Sequence, residues 1–234
     1  MERLQNSSSK ILKRWNNKNW LDRKYKDIEL TLTDTQMAKF YGLVKLHKQD
    51  HPLRPVVSLV NYPTERIAKQ LYKVLYNCFP LPLSHIKNAE VLRKEIINLR
   101  VPEDHILLSL DVVSLYTNVS KRLVLASLKK RKSIIKSHSI ISYNEIEKAT
   151  QYLFDNIYFK FNDHIFHQQR GTPMVSSISG LYADIVMEDH EKECLKKLSF
   201  TPLLYKRYVD DILTIIPRSK ISEVLQVFNE TESN

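Results

Sequence analysis

Tyr205 to Ile216 constrains this chain more than any other stretch. It reads Tyr-Lys-Arg-Tyr-Val-Asp-Asp-Ile-Leu-Thr-Ile-Ile, with aromatic and β-branched residues on both sides of an adjacent acid pair, Asp210-Asp211. Flanks of that kind form strands. The acids fall where the flanks meet, which predicts the tip of a β-hairpin. Neighbouring carboxylates at a turn repel one another, and a solvated Asp-Asp turn is the plain reading of such a pair. A bound divalent cation is the other reading, because hard cations select carboxylate oxygen.

A second acid closes another short apolar run. Ile106 to Leu110 has the character of a buried strand, and Asp111 stands where it ends. Taken alone, Asp111 reads as a helix cap or a loop residue. If the two strands are sheet neighbours, Asp111 and Asp210-Asp211 converge on one site. Two-metal phosphoryl transfer needs that geometry. One ion activates the attacking oxygen, the other stabilises the leaving oxygen, and carboxylates hold the pair about 3.5–4 Å apart.

Five motifs in fixed order carry a family resemblance. They are Phe40-Tyr-Gly-Leu-Val-Lys-Leu-His-Lys48, Pro52-Leu-Arg-Pro-Val-Val-Ser58, Asp111-Val-Val-Ser-Leu-Tyr-Thr-Asn118, Gly171-Thr-Pro-Met174 and Tyr208-Val-Asp-Asp211. Together they resemble the reverse transcriptase domain of Penelope-like retroelements, relatives of telomerase reverse transcriptase, over residues 35 to 228. The resemblance implies an α+β fold in which an antiparallel palm sheet is backed by helices and preceded by fingers. Its expected divisions are a basic extension at 1–34, fingers at 35–105 and palm at 106–234. The family continues into a primer-grip hairpin and a helical thumb, so the chain is expected to stop before both.

The same resemblance assigns roles. Asp111, in motif A, and Asp210 and Asp211, in motif C, are the expected catalytic carboxylates and the ligands of two Mg²⁺ ions, with Asp211 supporting. Tyr116, five positions after Asp111, is the expected steric gate that excludes a 2′-hydroxyl; an ordinary core tyrosine is the plain alternative. Lys45 and Arg54 match the basic finger positions that grip a triphosphate, and the arginine fork holds phosphate oxygens bidentately. His47 and Lys48 read as template-backbone contacts or solvated surface. Gly171, Met174 and Val175 belong to motif B, beside the nucleotide and primer terminus. The implied partners are an RNA or DNA template with its primer and deoxynucleoside triphosphates, in an intracellular and ultimately nuclear setting. The alternative is an impaired remnant that at most binds nucleic acid.

Two positions depart from the family pattern. Val175 stands where glycine follows the methionine, and a β-branched residue there adds bulk and restricts φ. Val44 fills a slot where proline is usual, which loosens the backbone before Lys45.

Composition agrees with a polyanionic partner. The chain has 234 residues, 43% of them hydrophobic, enough for one sizeable core or two small lobes. Its net charge of +10 suits nucleic acid, although lysines and arginines are spread along the chain. Concentrations occur at Lys10–Lys26, where Trp15, Trp20 and Tyr25 could stack on bases or Trp15 and Trp20 pack the helix, and at Lys129–Lys136, where Lys129-Lys-Arg-Lys132 could steer template, serve as a nuclear-import patch or, the plainest reading, be a solvated helix end. Cys78 and Cys194 follow no metal-ligand spacing and fit a reducing compartment. No signal core and no run of roughly 18 apolar residues is present, so no membrane partner is expected. Oligomeric state is left open.

Periodicity places the motifs. Asn6–Lys10 reads as a loose lead-in to a helical basic segment ending near Lys26. Phe40–Leu46 and Pro55–Val60 read as strands of one hairpin, Pro63–Phe79 as a helix with Ile67, Leu71, Val74 and Leu75 on one face, and Asn88–Leu99 as another. Helices are expected near Lys121–Lys136 and Tyr143–Asn156, then a tight hairpin across Asn162-Asp163. Ser176–Lys197 reads as a long helix packed beneath the acid-bearing strands, and Ser219–Phe228 as the last helix.

Overall fold

Buried spacing, rather than capping, makes the first helix. The structure is a computed structural model and describes residues 1–21, 34–46, 49–80 and 82–231. In chain order its elements are α1 (Glu2–Asn17), β1 (Ala38–Val44), β2 (Leu53–Ser58), α2 (Glu65–Cys78), α3 (Ala89–Ile96), β3 (His105–Asp111) and α4 (Leu115–Asn118). Then follow α5 (Lys121–Lys130), α6 (Lys132–His138), α7 (Tyr143–Asp155), β4 (Tyr158–Phe161), β5 (His164–His167), α8 (Ser179–Lys197), β6 (Leu204–Tyr208), β7 (Asp211–Pro217) and α9 (Ile221–Glu230). They sort into two compact units: residues 1–79 with 116–182, and 80–115 with the chain from 183 onward.

In the first unit, α1 buries Ser8, Leu12 and Trp15 along one face. The stretch Asn6–Lys10 is therefore helical, not a loose lead-in: the Ser8 hydroxyl is buried and lies 3.0 Å from the Tyr152 hydroxyl. Trp15 is fully buried and donates its indole N–H to Glu145 at 3.4 Å, which makes it core and not a stacking platform. Trp20 lies beyond the helix, with the Lys18 ammonium 4.6 Å from its ring. The rest of that basic segment, including Tyr25 and Lys26, lies outside the described residues, as do His47 and Lys48.

Four strands of this unit form a sheet in the order β2-β1-β4-β5. The β1–β2 hairpin runs antiparallel from Lys39 opposite Ser58 to Val44 opposite Leu53, while β1 and β4 are parallel. The β4–β5 turn places Asn162 and Asp163 at φ +44° and +62°, the left-handed pair that a two-residue hairpin of this hand requires. Ala38, Val57, Leu59, Tyr62 and Ile157 make a shared core. The Tyr62 hydroxyl donates to the Asn156 carbonyl at 2.9 Å and accepts from the Tyr158 amide at 3.0 Å. Burial raises its pKa to about 12, so it stays a neutral donor. Helix α2 buries Ile67, Leu71 and Leu75 of the expected face, each worth about 1.5–3 kcal/mol.

The basic run 129–132 is not uniformly solvated. Arg131 divides α5 from α6, is buried, and donates to the Ser127 carbonyl at 3.1 Å with its guanidinium against the Phe79 ring.

In the second unit, β3, β7 and β6 form an antiparallel sheet with β7 in the centre. Ile212, Thr214, Ile215 and Ile216 are all buried, as a central strand covered on both faces demands. Helix α3 starts where the Asn88 side chain accepts the Val91 amide at 3.0 Å, an N-cap bond. Mixed helices and antiparallel strands make the fold class α+β. Cys78 and Cys194 are buried free thiols. Among the described residues, no helix is long and apolar enough to cross a membrane.

Candidate active site

Register decides where the acids meet. The β3–β7 pairing runs from His105 opposite Pro217 to Asp111 opposite Asp211, so the last residue of one strand faces the first of the other. Tyr208 pairs with Asp211 across the β6–β7 hairpin, leaving Val209 and Asp210 as its two-residue loop. The Asp210 carbonyl accepts the Val112 amide at 3.0 Å, which ties the loop to the end of β3. Three carboxylates thus stand at one end of a three-stranded sheet, where β3 finishes and β7 begins. Asp111 and Asp211 are exposed and Asp210 is half-buried.

The donor set suits a hard divalent cation, being all carboxylate oxygen. Among the described residues, none of the three carboxylates is paired with a cation of the chain. Nor are three or more acid, histidine or cysteine side chains gathered there closely enough to form a ready-made cage. The backbone register brings the three acids to one end of the sheet, and their side chains do not gather into one cage.

The loop is strained. Val209 takes φ +56°, a left-handed conformation that is rare for any residue with a side chain and rarer for a β-branched one. Its carbonyl accepts from the Arg207 guanidinium at 3.0 Å. Arg207 is 1% exposed and also bonds Glu191 at 2.6 Å and Asp184 at 3.0 Å, both on α8. Burial pushes the Glu191 carboxyl up, against the pull of Arg207, Ser84 and Tyr205. Burial also pushes the Arg207 guanidinium down, but the carboxylates of Glu191 and Asp184 outweigh it and hold its pKa above the usual arginine value. Sequence reading missed Arg207, because a Lys-Arg pair in a strand reads as solvated surface.

The remaining candidates stand in the first unit. Lys45 follows β1 directly, its amide donating to the Pro52 carbonyl at 3.0 Å, and Arg54 is exposed on β2 opposite Leu43. The two therefore share one hairpin. Tyr116 is half-buried in the helical turn α4, and its carbonyl accepts the Thr172 amide at 2.8 Å. Gly171 stands beside it at φ +71°; a Cβ there would lie 2.5 Å from the Tyr116 carbonyl oxygen and 2.6 Å from the Thr117 Cα. Glycine is thus required twice over, by φ and by the neighbouring backbone.

Met174 is half-buried and Val175 partly exposed. Val175 is not in a left-handed conformation. Its amide donates to the Val57 carbonyl at 3.3 Å and its carbonyl accepts the Leu59 amide at 2.8 Å, a parallel bridge to the end of β2. The valine therefore meets no φ restriction at this position.

Helix α8 begins at Ser179 and not at Ser176. Glu65, 8% exposed at the start of α2, accepts from the Ser177 amide at 3.0 Å, the Ser176 hydroxyl at 3.1 Å and the Ser177 hydroxyl, and so holds this stretch as a turn.

No protein-family model matches the sequence, and no curated protein sequence does. Solved structures do. Apo telomerase from Candida tropicalis is similar with a TM-score of 0.57 at 12% identity, covering 92% of this chain and 45% of that one. Telomerase from Candida albicans, in complex with the TWJ fragment of telomeric RNA, gives a TM-score of 0.55 at 13% identity, covering 93% and 43%. The fold is telomerase-like, that is, of reverse transcriptase type. The chain spans less than half the length of these two structures.

Proposed function

We propose that the chain is the fingers-and-palm portion of a reverse transcriptase of the Penelope-like type, with β1–β2 as fingers and β3-β7-β6 as the palm sheet. The observation that carries this reading is the register that sets Asp111 opposite Asp211 with Asp210 in the adjoining turn. Asp111 and Asp210 would be the main ligands of Mg²⁺, and Asp211 would support them. Such ions, when bound, would supply electrostatic stabilisation for in-line attack of a primer hydroxyl on the α-phosphate of a deoxynucleoside triphosphate, with pyrophosphate leaving.

The chain's own residues would position the reactants. Arg54 would grip the triphosphate through its fork and Lys45 as a point charge. The Tyr116 ring would lie under the incoming sugar and reject a 2′-hydroxyl. Gly171, Met174 and Val175 would line the nucleotide and primer side. A template strand with its primer is the expected macromolecular partner; two of the similar telomerase structures, one of them from Candida tropicalis, carry a telomeric RNA fragment.

Primer extension on an RNA template with Mg²⁺ and deoxynucleotides tests the proposal. Extension is expected from the unaltered chain and none from Asp210→Ala, while Tyr116→Ala should admit ribonucleotides. Salt-sensitive binding of primer–template without extension would overturn the polymerase reading and leave a nucleic-acid-binding one.

A further inference from the structure

The strained acid loop is held from beneath by a charge. Val209 sits at φ +56° between β6 and β7, and nothing in its own chemistry favours that conformation. A two-residue hairpin gives such a position to glycine, asparagine or aspartate. Here the position holds a β-branched residue, and its carbonyl oxygen meets the Arg207 Nη1 at 3.0 Å.

Arg207 is itself fixed through Nε, Nη1 and its backbone. Its Nε donates to Glu191 at 2.6 Å, and the same Nη1 that reaches Val209 also donates to Asp184 at 3.0 Å. Glu191 is 2% exposed and is oriented in turn by the Ser84 hydroxyl at 2.9 Å and the Tyr205 hydroxyl at 3.3 Å. The Arg207 backbone is pinned as well, its amide donating to the Ser84 carbonyl at 2.7 Å and its carbonyl accepting the Ile86 amide at 2.9 Å. Nη2 is buried with no hydrogen-bond partner among the described residues, so the guanidinium is anchored through Nε and Nη1.

An arginine so deeply buried costs desolvation, and replacing such a network by apolar residues is often neutral or stabilising for folding. Fold stability alone therefore explains it poorly. Its geometry explains it better: Nη1 joins a helix carboxylate to the carbonyl one residue before Asp210.

We infer that Arg207 is a positioning residue for the acid loop, holding Val209 in its left-handed conformation through the Val209 carbonyl and thereby setting Asp210 against the end of β3 for cation binding. The inference rests on the proposed cation-dependent reading of Asp111 and Asp210, and adds the element that maintains their arrangement. Asp184 steers Nη1, and Glu191 holds the guanidinium plane.

Mn²⁺ titration of the purified chain, followed through the electron paramagnetic resonance of the free ion, tests this without requiring turnover. The unaltered chain should bind Mn²⁺ and Asp210→Asn should lose that binding. Arg207→Lys keeps the charge but not the fork, and should weaken Mn²⁺ binding about 10- to 100-fold, as removal of groups that orient metal ligands does. In a Val209→Gly background, where the left-handed conformation needs no clamp, most of that loss should vanish. Asp184→Asn, at a partly exposed position, should weaken binding by a smaller factor and carries the test if Arg207→Lys does not fold. Unchanged Mn²⁺ affinity in Arg207→Lys or, where that variant does not fold, in Asp184→Asn, or an equal loss from Arg207→Lys with and without Val209→Gly, would overturn the inference and leave the carboxylate site standing. Absence of Asp210-dependent binding in the unaltered chain would overturn the site itself, and the inference with it.

Discussion

Gly171→Ala should be among the most damaging single-methyl additions in the chain, and Gly180→Ala should do no harm. At Gly171 the new Cβ would lie 2.5 Å from the Tyr116 carbonyl oxygen and 2.6 and 2.8 Å from the Thr117 Cα and carbonyl carbon. These are backbone atoms, which cannot rotate away. The residue also sits at φ +71°, where an alanine costs about 1–2 kcal/mol. Forcing the Tyr116–Thr117 backbone aside adds about 1–3 kcal/mol, the usual cost of overpacking. Together the loss is about 2–5 kcal/mol. At Gly180, within α8, nothing lies within 4 Å of the added Cβ, so the gain in helix propensity should stabilise by about 0.5–1 kcal/mol. Urea unfolding of both variants beside the unaltered chain, compared at equal slope, reads the difference. A Gly171→Ala variant within about 0.5 kcal/mol of the unaltered chain would refute the tight approach of Gly171 to the Tyr116–Thr117 backbone.

Three further outcomes follow from the same geometry. Val209→Gly should raise the urea midpoint by the equivalent of about 0.5–1 kcal/mol, the strain relieved less the added freedom of the unfolded chain. Glu65→Ala should cost about 1.5–3 kcal/mol and sharply speed amide exchange at Ser177, since the buried carboxylate accepts from that amide and two hydroxyls. Glu223, held by Lys220 and by the Ser199 amide and hydroxyl, has its pKa lowered to about 2. A depressed carboxyl stabilises above its unfolded pKa and loses that contribution as pH falls towards the folded one. The thermal midpoint of Glu223→Gln should therefore lie below that of the unaltered chain at pH 6, and the gap should close between about pH 4.5 and 2.

Much of the frame was legible because local signals agreed with tertiary ones. The aromatic flank before Asp210-Asp211 and the β-branched flank after it form the β6–β7 hairpin, and Asn162-Asp163 supplies the left-handed turn that closes β4–β5. Ile67, Leu71 and Leu75 share the buried face of α2. What sequence could not show depends on distant partners. Ser8 looks like solvent-facing polar sequence until Tyr152 meets it, and Ser176 and Ser177 look helical until Glu65 takes the Ser177 amide. Arg207 was hidden for the same reason, since its carboxylates lie on α8 and its target is a backbone carbonyl. At Val175 two concerns stand, bulk and restricted φ; the backbone bridges Ser58 without a left-handed φ, which answers the second and leaves the bulk of the side chain.

Anomalous diffraction from crystals of the chain grown with Mn²⁺ decides whether Asp111 and Asp210 hold a divalent cation. A manganese peak is expected about 2.0–2.3 Å from carboxylate oxygens of Asp111 and Asp210, and none in Asp210→Asn crystals. Manganese bound elsewhere on the chain, with none where the end of β3 meets the start of β7, would contradict that site.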